Sequence, residues 1–220
     1  MRHVVTGFII AVAMLGPRGS SASESPAGEL PITVQIQDHS HVPPALLSSA
    51  AAVVTRMYEG IGVRIKWTGV VRWNGDHARF DHREETSHAA LGQLTIIILN
   101  SKMAARGHVK EEVLGFAAVA DEGMGRIAYA IYDRVRSIAL ELPINEAELL
   151  GFVMAHEIGH LMLPRGSHSS AGLMKSDWDI HDLEEVDLLK LQFSEQQAAQ
   201  IRSTIENESS RIMVRATPRR

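Results

Sequence analysis

His156, Glu157 and His160 stand in the order H-E-x-x-H, and each has a side chain suited to one part of metal-assisted hydrolysis. On a helix, residues four apart lie about 40° from each other around the axis, so the two imidazoles can face one metal ion. Glu157 is one position on, about 100° around, beside that ion but outside its ligand set. A carboxylate placed there can accept a proton from an attacking water. Imidazole ligands suit zinc, and a catalytic zinc takes three protein ligands and leaves one position for water. One more protein ligand must therefore come from another part of the chain. A chain of this composition meets the pattern by chance in roughly 4% of cases, so the motif has to be judged by its surroundings.

Those surroundings read as a helix. Asn145 followed by Glu148 has the form of a capping box, Leu149, Phe152, Val153, His156, His160 and Leu163 continue one stripe, and Pro164 stops it. Histidines that extend an apolar stripe would be costly to bury without partners, which favours a ligand role over a solvated face. A glycine- and serine-rich loop from Arg165 to Gly172 follows, then Leu173-Met174.

Upstream, Ile32, Val34 and Ile36 alternate with polar residues and predict a strand. Pro43-Pro44 opens a helix over Ala45 to Glu59, closed by Gly60 and Gly62, and Val63 to Val71 alternates again. Strand, helix, strand suits a sheet with a crossover helix. Leu94 to Leu99 is almost continuously apolar and predicts a central strand buried on both faces. After a loop from Ser101 to Glu112, Gly115 to Ala120 and Arg126 to Tyr132 read as two further strands around a glycine-containing turn. Beyond the motif, Asp182 to Leu191 reads as a helix, and Ser194 with Gln197 caps a last one running to about Ile205.

Composition narrows the chemistry. The 220 residues contain no Cys, which removes thiol nucleophiles, thiolate zinc sites and disulfide scaffolds. A net charge of −4 gives no field for nucleic acid, and 45% hydrophobic residues imply a packed core. Residues 1–22 have the layout of a secretory signal peptide. A short basic start leads into an apolar run from Val4 to Leu15, too short for a bilayer span, and then into small residues ending at Ala22. The expectation is a secreted or periplasmic protein with no membrane span after cleavage. Residues 23–30 then form a linker, residues 31–210 one domain, and residues 211–220 a frayed tail.

From Val153 to Met174 the chain resembles the metzincin zinc peptidases, most closely their matrixin-like branch. That family has H-E-x-x-H on a helix, a sharp turn, a third His with a Ser beside it, and a methionine turn under the metal. The resemblance implies one catalytic zinc ion held by His156, His160 and His168, Glu157 as general base, and Met174 as the methionine turn. It implies an α/β (α+β) fold: a mixed five-stranded twisted sheet with a crossover helix, an active-site helix and C-terminal helices. It also implies a peptide or protein substrate that pairs with an edge strand, a role falling to Gly115 to Ala120. Two departures stand out. Leu163 occupies the family's glycine position, and the third His falls two residues late, at 168. Pro164 and Gly166 offer a way to swing His168 back, with Asp177, Asp179 and His181 as alternative ligands. No Tyr follows Met174; Lys175-Ser176-Asp177-Trp178 stands there. The cysteine that matrixins use for latency has no counterpart.

His77, Asp81, His82 and His88 lie in a polar stretch that reads as a solvated loop, with a second metal site as the alternative. His39 and His41 read as surface residues, and Trp178 as core or pocket wall. The leading expectation is an exported zinc-dependent endopeptidase. The alternatives are a binding module that keeps zinc only as a staple, and a zinc hydrolase acting on non-peptide amides.

Overall fold

The structure, a computed structural model, describes residues 30–72, 93–118, 124–142, 144–176, 178 and 191–216. The expected signal peptide and linker, the polar stretch with His77, Asp81, His82 and His88, and the helix expected from Asp182 lie outside the described residues.

Strand β1 (Leu30–Asp38) turns Ile32, Val34 and Ile36 to a buried face, as its period of two requires. Helix α1 (Pro44–Glu59) begins with Pro44 in its first turn, where a missing N–H costs no hydrogen bond, and buries Leu47, Ala50, Val53, Val54 and Met57. It crosses to β2 (Val63–Arg72), which lies parallel to β1. Strand β3 (Gln93–Leu99) pairs with the other side of β1 and is buried at every position after Gln93. Helix α2 (Ser101–Arg106) follows, then β4 (Gly115–Ala118) and β5 (Ile127–Ile131). The sheet order is β2-β1-β3-β5-β4, parallel except for β4, which runs antiparallel to β5 and occupies an edge. This is the mixed five-stranded sheet that the resemblance implies.

Helix α3 (Tyr132–Glu141) leaves β5 directly, α4 (Glu146–Met162) carries the H-E-x-x-H motif, and α5 (Glu195–Ala216) ends the described chain. Asn145 caps α4 by accepting from the backbone N–H groups of Ala147 and Glu148, at 3.0 and 3.1 Å. From Leu149 to Gly159 this helix is buried on all sides. It meets α1 at backbone distance. A Cβ on Gly151 would lie 2.6 Å from the Val53 Cβ and 2.8 Å from the Ala50 carbonyl, so only glycine permits the approach. The Tyr58 hydroxyl donates to the Ala155 carbonyl across the same contact, at 3.1 Å. His156 and Glu157 therefore sit on a helix fixed in the core rather than laid over it.

Three elements depart from the sequence reading. Ser101 to Arg106, expected as part of a loop, is the single-turn helix α2, capped by the Asn100 side chain on the Met103 N–H at 2.9 Å. It is too short to show a hydrophobic period. Helix α3 was not expected. Asp133 in its first turn accepts from the Ser101 N–H at 2.8 Å, a tertiary contact with no local signature. Helix α5 starts at the expected Ser194–Gln197 reciprocal cap but runs on to Ala216, well past Ile205 and into the segment expected to be a frayed tail. Tertiary contacts hold it as far as Glu208. Ile201 and Ile205 are buried, Thr204 donates to the Met162 carbonyl, and Glu208 pairs with Arg126.

Candidate metal centre and cleft

Helix α4 presents His156 and His160 from successive turns, and the chain beyond Pro164 returns His168 to them. Gly166 makes that return possible with φ +74°, a left-handed conformation that a side chain would strain. The His160 Nε2 lies 3.0 Å from the Nε2 of His156 and 3.0 Å from that of His168. One ligand nitrogen from each ring falls within a 4.8 Å cluster, the one such group of three among the described residues. Asp177, Asp179 and His181, the other candidates for a third ligand, lie outside the described residues.

The His156 ring is held in the tautomer a metal requires. His156 Nδ1 is 2.7 Å from the Leu173 carbonyl, so Nδ1–H donates there and the Nε2 lone pair faces the cluster. His160 Nδ1 lies 3.4 Å from the Ser167 hydroxyl. Met174 is fully buried, and its Sδ would be 2.9 Å from a Cβ on Gly159, so it packs under α4 beside His160. The Ser169 N–H donates to the Met174 carbonyl at 2.8 Å and closes the turn that delivers both residues.

Electrostatics agree with this geometry. Burial, and the proximity of His168, push the His156 imidazolium down to about 4. Burial together with His156 and His168 pushes His160 down to about 3. Both rings are therefore neutral at pH 7, as ligands must be. Three imidazole nitrogens, with His160 Nε2 3.0 Å from each of the other two, form a donor set for one borderline-soft cation, and zinc fits it. Burial alone raises the Glu157 carboxyl to about 8.

The two kinds of shift act in opposite directions on the metal-free protein. The depressed imidazoles contribute stability that is present above about 6.5 and lost as pH falls toward their folded values. The raised carboxyl contributes stability present below its ordinary value of 4.5 and lost as pH rises through about 8. Two imidazoles outweigh one carboxyl below 6.5, and the carboxyl acts alone above it. The chelator-treated protein should be most resistant to urea near pH 6.5, with weaker midpoints at pH 5 and pH 8. Glu157→Gln should remove the alkaline decline, and a midpoint that climbs steadily to pH 8 in the unsubstituted protein would contradict the assignment.

A cleft of about 610 Å³ opens over the cluster. One wall is the approach to β4 and the strand itself, from Glu112 to Ala117; the floor is His156, Glu157, His160 and Val153. Ile138 of α3 and Trp178 add apolar surface, with the indole edge-on to the His156 ring at 5.3 Å. Strand β4 presses on Glu157. A Cβ on Gly115 would lie 2.6 Å from the Glu157 Cγ and 2.8 Å from its Oε1, so glycine is what lets edge strand and carboxyl touch. Of the strand expected over Gly115 to Ala120, the structure describes β4 to Ala118.

Sequence reasoning did not find the Leu173 carbonyl, the Gly115 contact or Ile138. A backbone acceptor leaves no residue-type signal, and Ile138 belongs to the helix that was not expected. Gly115 had a weak signal, a glycine opening a strand beside the site.

No family model matches the chain, and no curated protein matches its sequence. Solved structures do match in shape. Archaemetzincin from Methanopyrus kandleri superposes with a TM-score of 0.54 at 15% identity, covering 82% of this chain and 98% of that one. The two share one fold. Metalloproteinase-II from Bacteroides fragilis superposes with a TM-score of 0.50 at 11% identity, covering 83% of this chain and 55% of that one. The resemblance implied a metzincin-like sheet and helix order, and at the level of fold the archaemetzincin match bears it out.

Proposed function

We propose that the protein is an exported zinc-dependent endopeptidase, with His156, His160 and His168 as metal ligands and Glu157 as general base. The observation that carries the reading is the convergence of three Nε2 atoms beside a buried carboxyl on the floor of an open cleft. The fold shared with archaemetzincin and with a metalloproteinase supports it. A matrixin-like affinity rests on the Ser beside His168 and on the methionine turn at Met174. Export rests on the signal-like residues 1–22, and no helix among the described residues is long and apolar enough to cross a membrane.

Zinc, when bound, supplies Lewis-acid polarisation of a carbonyl and makes water acidic enough to attack near neutral pH. The chain does the rest. The Leu173 carbonyl and the Ser167 hydroxyl orient two of the imidazoles, and Met174 supports the helix beneath them. Strand β4, at the edge of the sheet among the described residues, can bind an extended peptide by main-chain hydrogen bonds across the cleft. Glu157 Oε1, next to β4, takes the proton from the attacking water and returns it to the leaving amine. Its burial suits that task, because a carboxyl raised toward neutrality both accepts and gives up a proton readily. A purely structural zinc site has all four positions closed and no need of a neighbouring base; this one opens on a cleft and has Glu157 beside it.

The test is metal analysis of the purified protein together with cleavage of an unstructured peptide library. One zinc per chain is expected, with cleavage abolished by chelator and restored by added zinc. Zinc without cleavage would favour the staple reading. Chelator-sensitive cleavage confined to non-peptide amides would favour the second alternative.

A further inference from the structure

We propose that Arg134 is a positioning residue for substrate docking: it fixes the height of the β4 rim above the cleft from behind. This rests on the reading of β4 as the strand to which peptide pairs. Arg134 lies on α3, outside the cleft lining. Its Nη1 donates to the carbonyls of Lys110 and Val113, at 2.5 and 2.6 Å, and its Nη2 donates to the Val109 carbonyl at 3.2 Å. One guanidinium thus gathers three carbonyls of a segment that belongs to no helix or strand. The planar, always-charged fork is suited to this, since it offers several donors in fixed directions.

The backbone hydrogen bonds of the gathered segment among the described residues are local ones. The Val109 N–H donates to the Ala104 carbonyl and the Val113 N–H to the Lys110 carbonyl, both within the same stretch of chain. Before it stands His108 with φ 56°, a left-handed conformation uncommon for a residue with a side chain. After it, the Leu114 carbonyl accepts from the Ile131 N–H, and Gly115 begins pairing with Ala130. Glu112, Val113 and Leu114 are themselves wall residues of the cleft. Arg134 therefore ties the rim to the end of the sheet where α3 leaves β5.

The consequence separates binding from turnover. Glu157 and the three imidazoles are carried by α4 and the loop after it, whereas the carbonyls that Arg134 binds belong to residues 109, 110 and 113. A loosened rim must be ordered each time substrate docks, and that cost falls on affinity. In Arg134→Ala, KM should rise by about tenfold while kcat stays within about twofold of the original and zinc stoichiometry is unchanged. Backbone amide exchange over residues 109–116 should quicken. Arg134→Lys, which keeps the charge but not the fork, should fall between, and added methylguanidinium should partly restore the KM of Arg134→Ala.

A control distinguishes this from general destabilisation. Asp133→Ala removes the acceptor for the Ser101 N–H on the same helix without reaching the gathered segment, and should lower stability with KM unchanged. Binding of a non-cleaved peptide to Glu157→Gln, with and without Arg134→Ala, reads docking independently of turnover and should show the same tenfold weakening. Faster exchange with unaltered peptide affinity would mean substrate docks elsewhere and would overturn the proposal. So would unaltered exchange over residues 109–116. A wild-type protein with no zinc-dependent cleavage would sink the peptidase reading instead, and the peptide-affinity and exchange measurements would still decide the role of Arg134.

Discussion

Glu157→Gln is expected to bind zinc as the unsubstituted protein does and to cleave peptides on the order of 10³-fold more slowly, within the range a general base contributes. Glutamine has the shape of glutamate, so it fits the narrow space left by the absent Cβ of Gly115 and leaves β4 in place. The imidazoles, their carbonyl and hydroxyl partners and Met174 are untouched. What is lost is the ability to accept a proton. Because burial is what raises the carboxyl, an uncharged replacement also relieves desolvation, so the thermal midpoint at pH 8 should hold or rise. The combination is diagnostic: equal zinc by metal analysis, equal or higher Tm, and kcat nearly abolished. Turnover within tenfold of the original would remove Glu157 from the mechanism. Loss of zinc would mean that the carboxyl supports the metal site and is more than a base.

Legibility in the sequence followed the range of the interactions. The strands β1 and β3 were readable because their apolar spacing is local, and so was the start of α4, where Asn145 caps its own first turn. The motif showed which residues could bind metal because helical geometry converts a spacing of four into one face. The extent of α5 was not readable from local pattern alone, since past Ile205 it is tied at Glu208 to Arg126, more than eighty residues upstream. Likewise α2 and α3 are joined through Asp133 and Ser101, a contact that no local pattern displays, and α3 leaves β5 with no break to mark its start. In the site, the residues that could be named were those whose own side chains do chemistry. The carbonyl of Leu173, the missing Cβ of Gly115 and the fork of Arg134 act through backbone or from behind, and only the assembled fold displays them.

The three histidines differ in surroundings, and their replacements should fail in different ways. His156 is 7% exposed, and its Nδ1–H bonds to Leu173 in the turn that carries Met174. In His156→Ala, zinc affinity should fall by more than the roughly 10–100-fold typical of losing a ligand's hydrogen-bond partner, because a ligand itself is gone. That variant should also lose about 1–3 kcal/mol of metal-free stability, since the Leu173 carbonyl is left buried without its donor and a cavity opens beneath Trp178. His168, by contrast, is exposed on the far side of the cluster. His168→Ala should weaken zinc comparably yet leave the metal-free protein nearly as stable, because its ring is exposed. Urea titrations with chelator present, paired with zinc titrations of each variant, separate the two effects. If His168→Ala kept full zinc affinity, the third ligand would have to be sought among Asp177, Asp179 and His181. If His156→Ala lost no metal-free stability, the Leu173 contact would not be what holds the methionine turn against the helix.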